Sequence, residues 1–73
     1  MRLADLQIKD VVNIKDGKRL GRIIDAEIDN KGQISYFVVE QKKLFRFFSS
    51  NLEVNITFNQ IIKIGEDVIL VEL

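Results

Sequence analysis

Apolar positions along this chain alternate over short runs and are cut by glycine-containing turns. Val11 to Ile14 forms the first run. Arg19 to Asp29 forms the second and longest, with Leu20, Ile24, Ala26 and Ile28 on one face. In that run Ile23 falls on the opposite face and Arg22 on the apolar one. Gly21 lies beside this irregularity, which predicts a bulge or sharp bend there. Ile34 to Glu40 is apolar on both faces at its centre. Val54 to Phe58 alternates through Val54, Ile56 and Phe58, and two further runs flank Gly65. The punctuation is Asp16-Gly17, Asn30-Lys31-Gly32 and Gly65-Glu66-Asp67, residue types that tolerate the positive φ of tight hairpin turns. The pattern therefore predicts six short strands. Helix is limited to about one turn near Asp5 to Lys9 and one near Thr57 to Ile61. The last run, Val68 to Val71, is too apolar to leave in water and is expected to complete a closed or nearly closed sheet. The fold class expected is all-β: a small six-stranded antiparallel barrel in one domain over residues 1–73.

Composition narrows the chemistry. Seventy-three residues allow a single small core, and such domains often depend on disulfides, metals or self-association. Cys and His are both absent, which removes disulfides, thiolate metal sites and the usual general base near neutral pH. Eleven Lys and Arg balance eleven Asp and Glu, so no net charge draws the chain toward nucleic acid or an acidic membrane. No run is long enough to span a bilayer, and charges interrupt residues 1–10, so a cytoplasmic protein without a signal peptide is expected.

Several stretches resemble one family. Leu3-x-x-Leu6, Asp10-Val11-Val12-Asn13-Ile14, Asp16-Gly17-Lys18-Arg19-Leu20-Gly21-Arg22-Ile23-x-Asp25-x-x-Ile28-Asp29 and Ile62-Lys63-Ile64-Gly65-Glu66-Asp67-Val68-Ile69-Leu70-Val71 look like the PRC-barrel superfamily. Within it they are most similar to the small sporulation proteins of the YlmC/YmxH family. The resemblance implies a six-stranded barrel-like fold, an adaptor role and an association with endospore formation. The family often has Ile-Pro-Trp where this chain has Ile56-Thr57-Phe58, so nothing tied to that Trp carries over.

No catalytic constellation emerges. Asp25, Glu27 and Asp29 lie on one strand face about 7 Å apart, wide for one cation, and read as a solvated face. Asp25, near the expected bend, is expected to accept backbone N–H groups. Ser49 and Ser50 have no partner at nucleophile spacing, and the glycine turns lack phosphate-loop spacing. No enzyme activity, cofactor, metal or small-molecule substrate is expected.

One segment carries more than a turn needs. Residues 42–52 hold three of the five Phe, with Lys42, Lys43 and Arg46 among them. Burying one Phe is worth roughly 1.5–3 kcal/mol, so three left in water would forgo much of a small domain's stability. Three readings stand: the segment caps the core, it forms a protein interface, or it meets a membrane or single-stranded RNA. Leu44, Phe45, Arg46, Phe47 and Phe48 are the interaction residues expected. The function expected is a protein-interaction module with a protein partner, including a second copy of itself. The alternative is an RNA- or ribosome-associated accessory domain, which a basic patch of Lys15, Lys18, Arg19, Arg22, Lys42, Lys43 and Arg46 would favour.

Overall fold

The structure is a computed structural model, and it describes residues 1–41 and 53–73. The elements are α1 (Leu3–Gln7), β1 (Asp10–Asn13), β2 (Arg19–Ile28), β3 (Ile34–Gln41), β4 (Glu53–Ile56), a 3-10 turn at Phe58–Gln60, β5 (Ile61–Ile64) and β6 (Val68–Val71). The six strands form one sheet in the order β4-β3-β2-β1-β6-β5. This all-β architecture agrees with the hydrophobic pattern.

Four of the described ladders are antiparallel, but β1 and β6 run parallel, Asp10 opposite Val68 through Asn13 opposite Val71. Hairpin signals report only neighbours in sequence, so they carry no direction for this distant pair. The sheet also stays open between β4 and β5, which are its two edges. The 3-10 turn links those edges. The Glu72 N–H donates to the Gln60 carbonyl at 2.8 Å, and the Phe58 ring meets Phe37 edge-on with centroids 5.1 Å apart. Phe58 thus leaves the strand predicted for it, joins the helical turn expected near Thr57 to Ile61 and lies across the seam, 53% exposed.

The hairpins follow turn chemistry. Gly17 and Gly32 take positive φ, at 69° and 81°. Asp16 Oδ1 accepts from the Lys18 N–H, and Asp29 Oδ1 accepts from the Lys31 and Gln33 N–H groups. Gly65 needs no positive φ. Its turn closes through a 2.7 Å bond from the Gly65 N–H to the Val68 carbonyl, and Lys9 Nζ donates to both the Gly65 and Glu66 carbonyls at 2.7 Å.

Among the described residues eight side chains make the core: Leu6, Val11, Ile23, Phe37, Val39, Ile56, Ile69 and Val71. Leu6 brings α1 onto the sheet, and the core strands leave no space for a water molecule between Val11, Ile23, Phe37, Val39, Ile56, Ile61, Ile69 and Val71. One sequence expectation is corrected here. Ile23 is the core residue of β2, while Ile24 and Ile28 are 41% and 61% exposed. For Ile24 the cause is a second bulge, and a further register shift between Glu27 and Ile28 lies beside the exposed Ile28. The β2–β3 register passes from Ile23 opposite Val39 to Asp25 opposite Val38, so Ile24 has no partner and is turned outward. The bulge expected beside Gly21 is present as well, because the β1–β2 register passes from Val11 opposite Gly21 to Val12 opposite Arg19.

Candidate functional site

Among the described residues the core is tight, and the charged side chains stand on the outer surface of the sheet. Strand alternation and the register shifts of β2 decide which side chains stand there. Ile23, Phe37 and Val39 point inward, so their neighbours Arg22, Val38 and Glu40 point outward. The Ile24 bulge then shifts the alternation, which turns Ala26 toward the core and puts Asp25 and Glu27 outside. On β4, Asn55 and Glu53 stand opposite Val38 and Glu40 on the same outer face. Three rows of outward side chains result: Arg22, Glu40 and Glu53; Asp25, Val38 and Asn55; Glu27 and Tyr36.

Two arginines converge at the N-terminal end of this face. Arg19 donates to Asp10 Oδ1 at 2.7 Å, and Arg22 Nε reaches the same oxygen at 3.4 Å. The three side chains are one third to one half exposed. Exposed pairs of this kind hold little energy, about 0–1 kcal/mol, so the guanidinium groups can turn toward another acceptor. A shallow open depression of about 360 Å³ lies here, lined by Arg19, Gly21, Arg22, Ile24 and Glu40. Gly21 makes it possible. Its φ is 145°, and a Cβ built there would come 1.8 Å from the Glu40 carbonyl oxygen. Only a residue without a side chain lets β2 approach β3 this closely.

Acids populate the other end. Asp25 and Glu27 are exposed, and Asp25 Oδ1 accepts the Ala26 N–H at 2.8 Å, beside the bulge, as expected for a carboxylate at a bend. Asp29 is held in the β2–β3 turn. Glu40 and Glu53 face each other directly across β3 and β4, an arrangement of like charges that costs stability when left alone. Among the described residues no three metal-ligating side chains cluster. The arrangement offers hydrogen bonding and charge pairing at a surface; among the described residues no acid and base are brought together over an enclosed cavity.

The residues singled out by sequence divide into three groups. Leu44, Phe45, Arg46, Phe47 and Phe48, together with Lys42, Lys43, Ser49 and Ser50, lie outside the described residues. Lys15, Lys18, Arg19 and Arg22 are exposed on or beside the β1–β2 hairpin, where Asp10 and Asp16 accompany them. Asp25, Glu27 and Asp29 are exposed as expected. Sequence reading missed that Glu40 and Glu53 join this face, since only the β3–β4 register reveals it. It also missed Ile24, whose outward turn depends on a bulge that no Gly marks. Among the described residues no helix is long and apolar enough to cross a membrane.

Comparison with known proteins agrees with this architecture. Over 73 residues the chain is 42% identical to the Bacillus subtilis (strain 168) protein named "Probable sporulation protein YlmC", covering 97% of this chain and 90% of that one. It is 33% identical over 76 residues to "Uncharacterized protein YmxH" of the same organism, covering 100% of this chain and 89% of that one. The family model described as PRC-barrel domain matches residues 1–73. An open six-stranded sheet wrapped on a single core, matched along its whole length, thus places this chain in the PRC-barrel domain family.

Proposed function

We propose that this chain is a non-enzymatic protein-interaction module associated with sporulation and acting in the cytoplasm as one PRC-barrel unit over residues 1–73. The observation that carries the reading is where the polar chemistry lies. Among the described residues, Arg19, Arg22, Asp25, Glu27, Glu40 and Glu53 spread over an open sheet face, and the core beneath has no room for a ligand. A surface of that kind recognises another surface. The sporulation association rests on the name of the relative that is 42% identical. We assign Leu44, Phe45, Arg46, Phe47 and Phe48 as contact residues from their composition, since aromatic and Arg side chains dominate the energetics of protein interfaces.

The alternative, an RNA-associated domain, draws support from the exposure of Lys15, Lys18, Arg19 and Arg22. It is the weaker reading because Asp10 lies between both arginines and Glu40 shares their depression, which lowers the positive potential a phosphate backbone needs.

The test is capture of partners by the tagged chain in sporulating cells, at low salt, alongside a Phe45→Ser, Phe47→Ser double variant. A protein retained by the native sequence and released by the variant, with the melting transition kept, is the expected result. Recovery of RNA alone, or loss of the folded state in place of loss of a partner, would refute the assignment.

A further inference from the structure

Every residue of β6 is aliphatic. Val68, Ile69, Leu70 and Val71 can offer an apolar pair to the core from either face. In the structure Ile69 and Val71 are buried, while Val68 and Leu70 are half-buried on the outside. A ladder shifted by one residue would bury Val68 and Leu70 instead, and a shift by two would keep the same face inside. Hydrophobic pattern therefore sets no register for this strand. A hairpin takes its register from its turn, but β1 and β6 run parallel and lie far apart in sequence. Backbone bonds do not choose either. The Ile14 N–H donates to the Val71 carbonyl at 2.9 Å, and a shifted ladder would offer it an equivalent carbonyl.

One side chain does distinguish the registers. Lys9 immediately precedes β1, and its Nζ donates to the Gly65 and Glu66 carbonyls, both at 2.7 Å. The Asp10 N–H donates to the next carbonyl, that of Asp67, at 3.0 Å. Three successive carbonyls of the β5–β6 turn are thus taken up by two successive residues at the start of β1. The same turn is closed by the bond from the Gly65 N–H to the Val68 carbonyl, so its position is tied to β6. Glu66 and Asp67 also carry carboxylates, yet the ion pairs among the described residues both involve Asp10 and neither involves Lys9. The ammonium is committed to backbone, and bonds from a charged donor are stronger than neutral ones.

We propose that Lys9 is the register pin of the parallel ladder. Its ammonium, seated on the Gly65 and Glu66 carbonyls, sets Asp10 opposite Val68 and so decides which face of β6 enters the core. A shift of one residue moves both acceptors about 3.3 Å along the strand, so both bonds must be remade or lost. The consequence reaches the surface. In the observed register Lys63, Leu70, Val12 and Arg19 lie opposite one another in a row across β5, β6, β1 and β2. A shifted ladder would set a different residue of β6, and with it a different neighbour from β5, beside Val12.

Lys9→Met tests the proposal, because it keeps the length of the side chain and removes the donor. Proton–proton contacts across the strands, measured by NMR, read the register, and amide exchange reads local stability. The native chain should show Val11 against Ile69 alone. Lys9→Met should add a second set of β1–β6 contacts from a shifted ladder, with exchange in β1 and β6 faster by about tenfold relative to β2 and β3. Lys9→Arg, which keeps the charge and the donors, should hold the native register with near-native exchange. Lys9→Gln, a neutral donor, keeps the test readable should Lys9→Met not fold, and should show the same second register in smaller amount. A single native register in the neutral variants overturns the proposal. So does a loss of protection spread evenly over all the strands, which would make Lys9 a contributor to overall stability and no more.

Discussion

The two sides of the β2–β3 hairpin obey different rules. Inward, Ile23, Phe37 and Val39 are at most 4% exposed and pack without a water-sized gap. Outward, the same strands carry Arg22, Asp25, Glu27 and Glu40, and the ion pairs recorded there are exposed. Apolar contact inside is dense and cooperative, so each atom removed is felt. Charge outside is screened and adaptable, so it contributes little to folding. The inner side specifies the fold, and the outer side is left free to vary with what it meets.

The comparison is sharpest at Phe37. It is fully buried and braces Phe58 across the seam between β4 and β5. Phe37→Ala should cost about 3–5 kcal/mol. For a domain of this size that lowers the melting temperature by roughly 15 °C or more, or abolishes a cooperative transition at room temperature. A differential scanning melt within a few degrees of the native chain would break the distinction between the two sides.

Gly21 lies where the two sides meet, since it belongs to β2 yet floors the outer depression. A methyl group there collides with backbone rather than with a side chain that could swing away. Gly21→Ala should therefore destabilise by about 2–3 kcal/mol although it removes no contact, and urea denaturation should show a lower midpoint with little change in slope. An unchanged midpoint would mean that β2 and β3 separate more easily than their shared register implies.

The smallest effect belongs to the acids. Asp25→Asn with Glu27→Gln should alter stability by no more than about 0.5 kcal/mol, because both side chains are exposed and Asn can still accept the Ala26 N–H. Thermal melts at several salt concentrations check this. A loss of more than 2 kcal/mol would show that the outer face shares in holding the fold.

Much of this architecture was legible in the chain, and the residues show why. Alternation through Phe37 and Val39 and through Val54 and Ile56, with Gly17 and Gly32 at the turns, located the strands because local chemistry alone dictates them. The inward turn of Ile23 and the outward turn of Ile24 were not legible. They follow from a bulge whose energy lies in the β3 partner strand. The parallel β1–β6 ladder escaped for the same reason, as did the meeting of Glu40 with Glu53. Phe58 continued an alternating pattern but belongs to the 3-10 turn, where contact with Phe37 outweighs strand periodicity. The candidate surface is thus half readable: its charges are in the sequence, but their adjacency depends on register.

The parallel ladder between Asp10–Asn13 and Val68–Val71 has a consequence in time. Strands β2 and β3 can find each other across a short turn. Val11 and Ile69, both in the core, meet only across nearly the whole chain. Closing so long a loop costs entropy before any contact rewards it, and folds rich in such pairings form slowly. On a ribosome the core would wait for β6, the parallel partner of β1. Until Val68 to Val71 emerges, Val11 and its neighbours have no strand to cover them on that side, so the nascent chain stays exposed to chaperones and proteases until then.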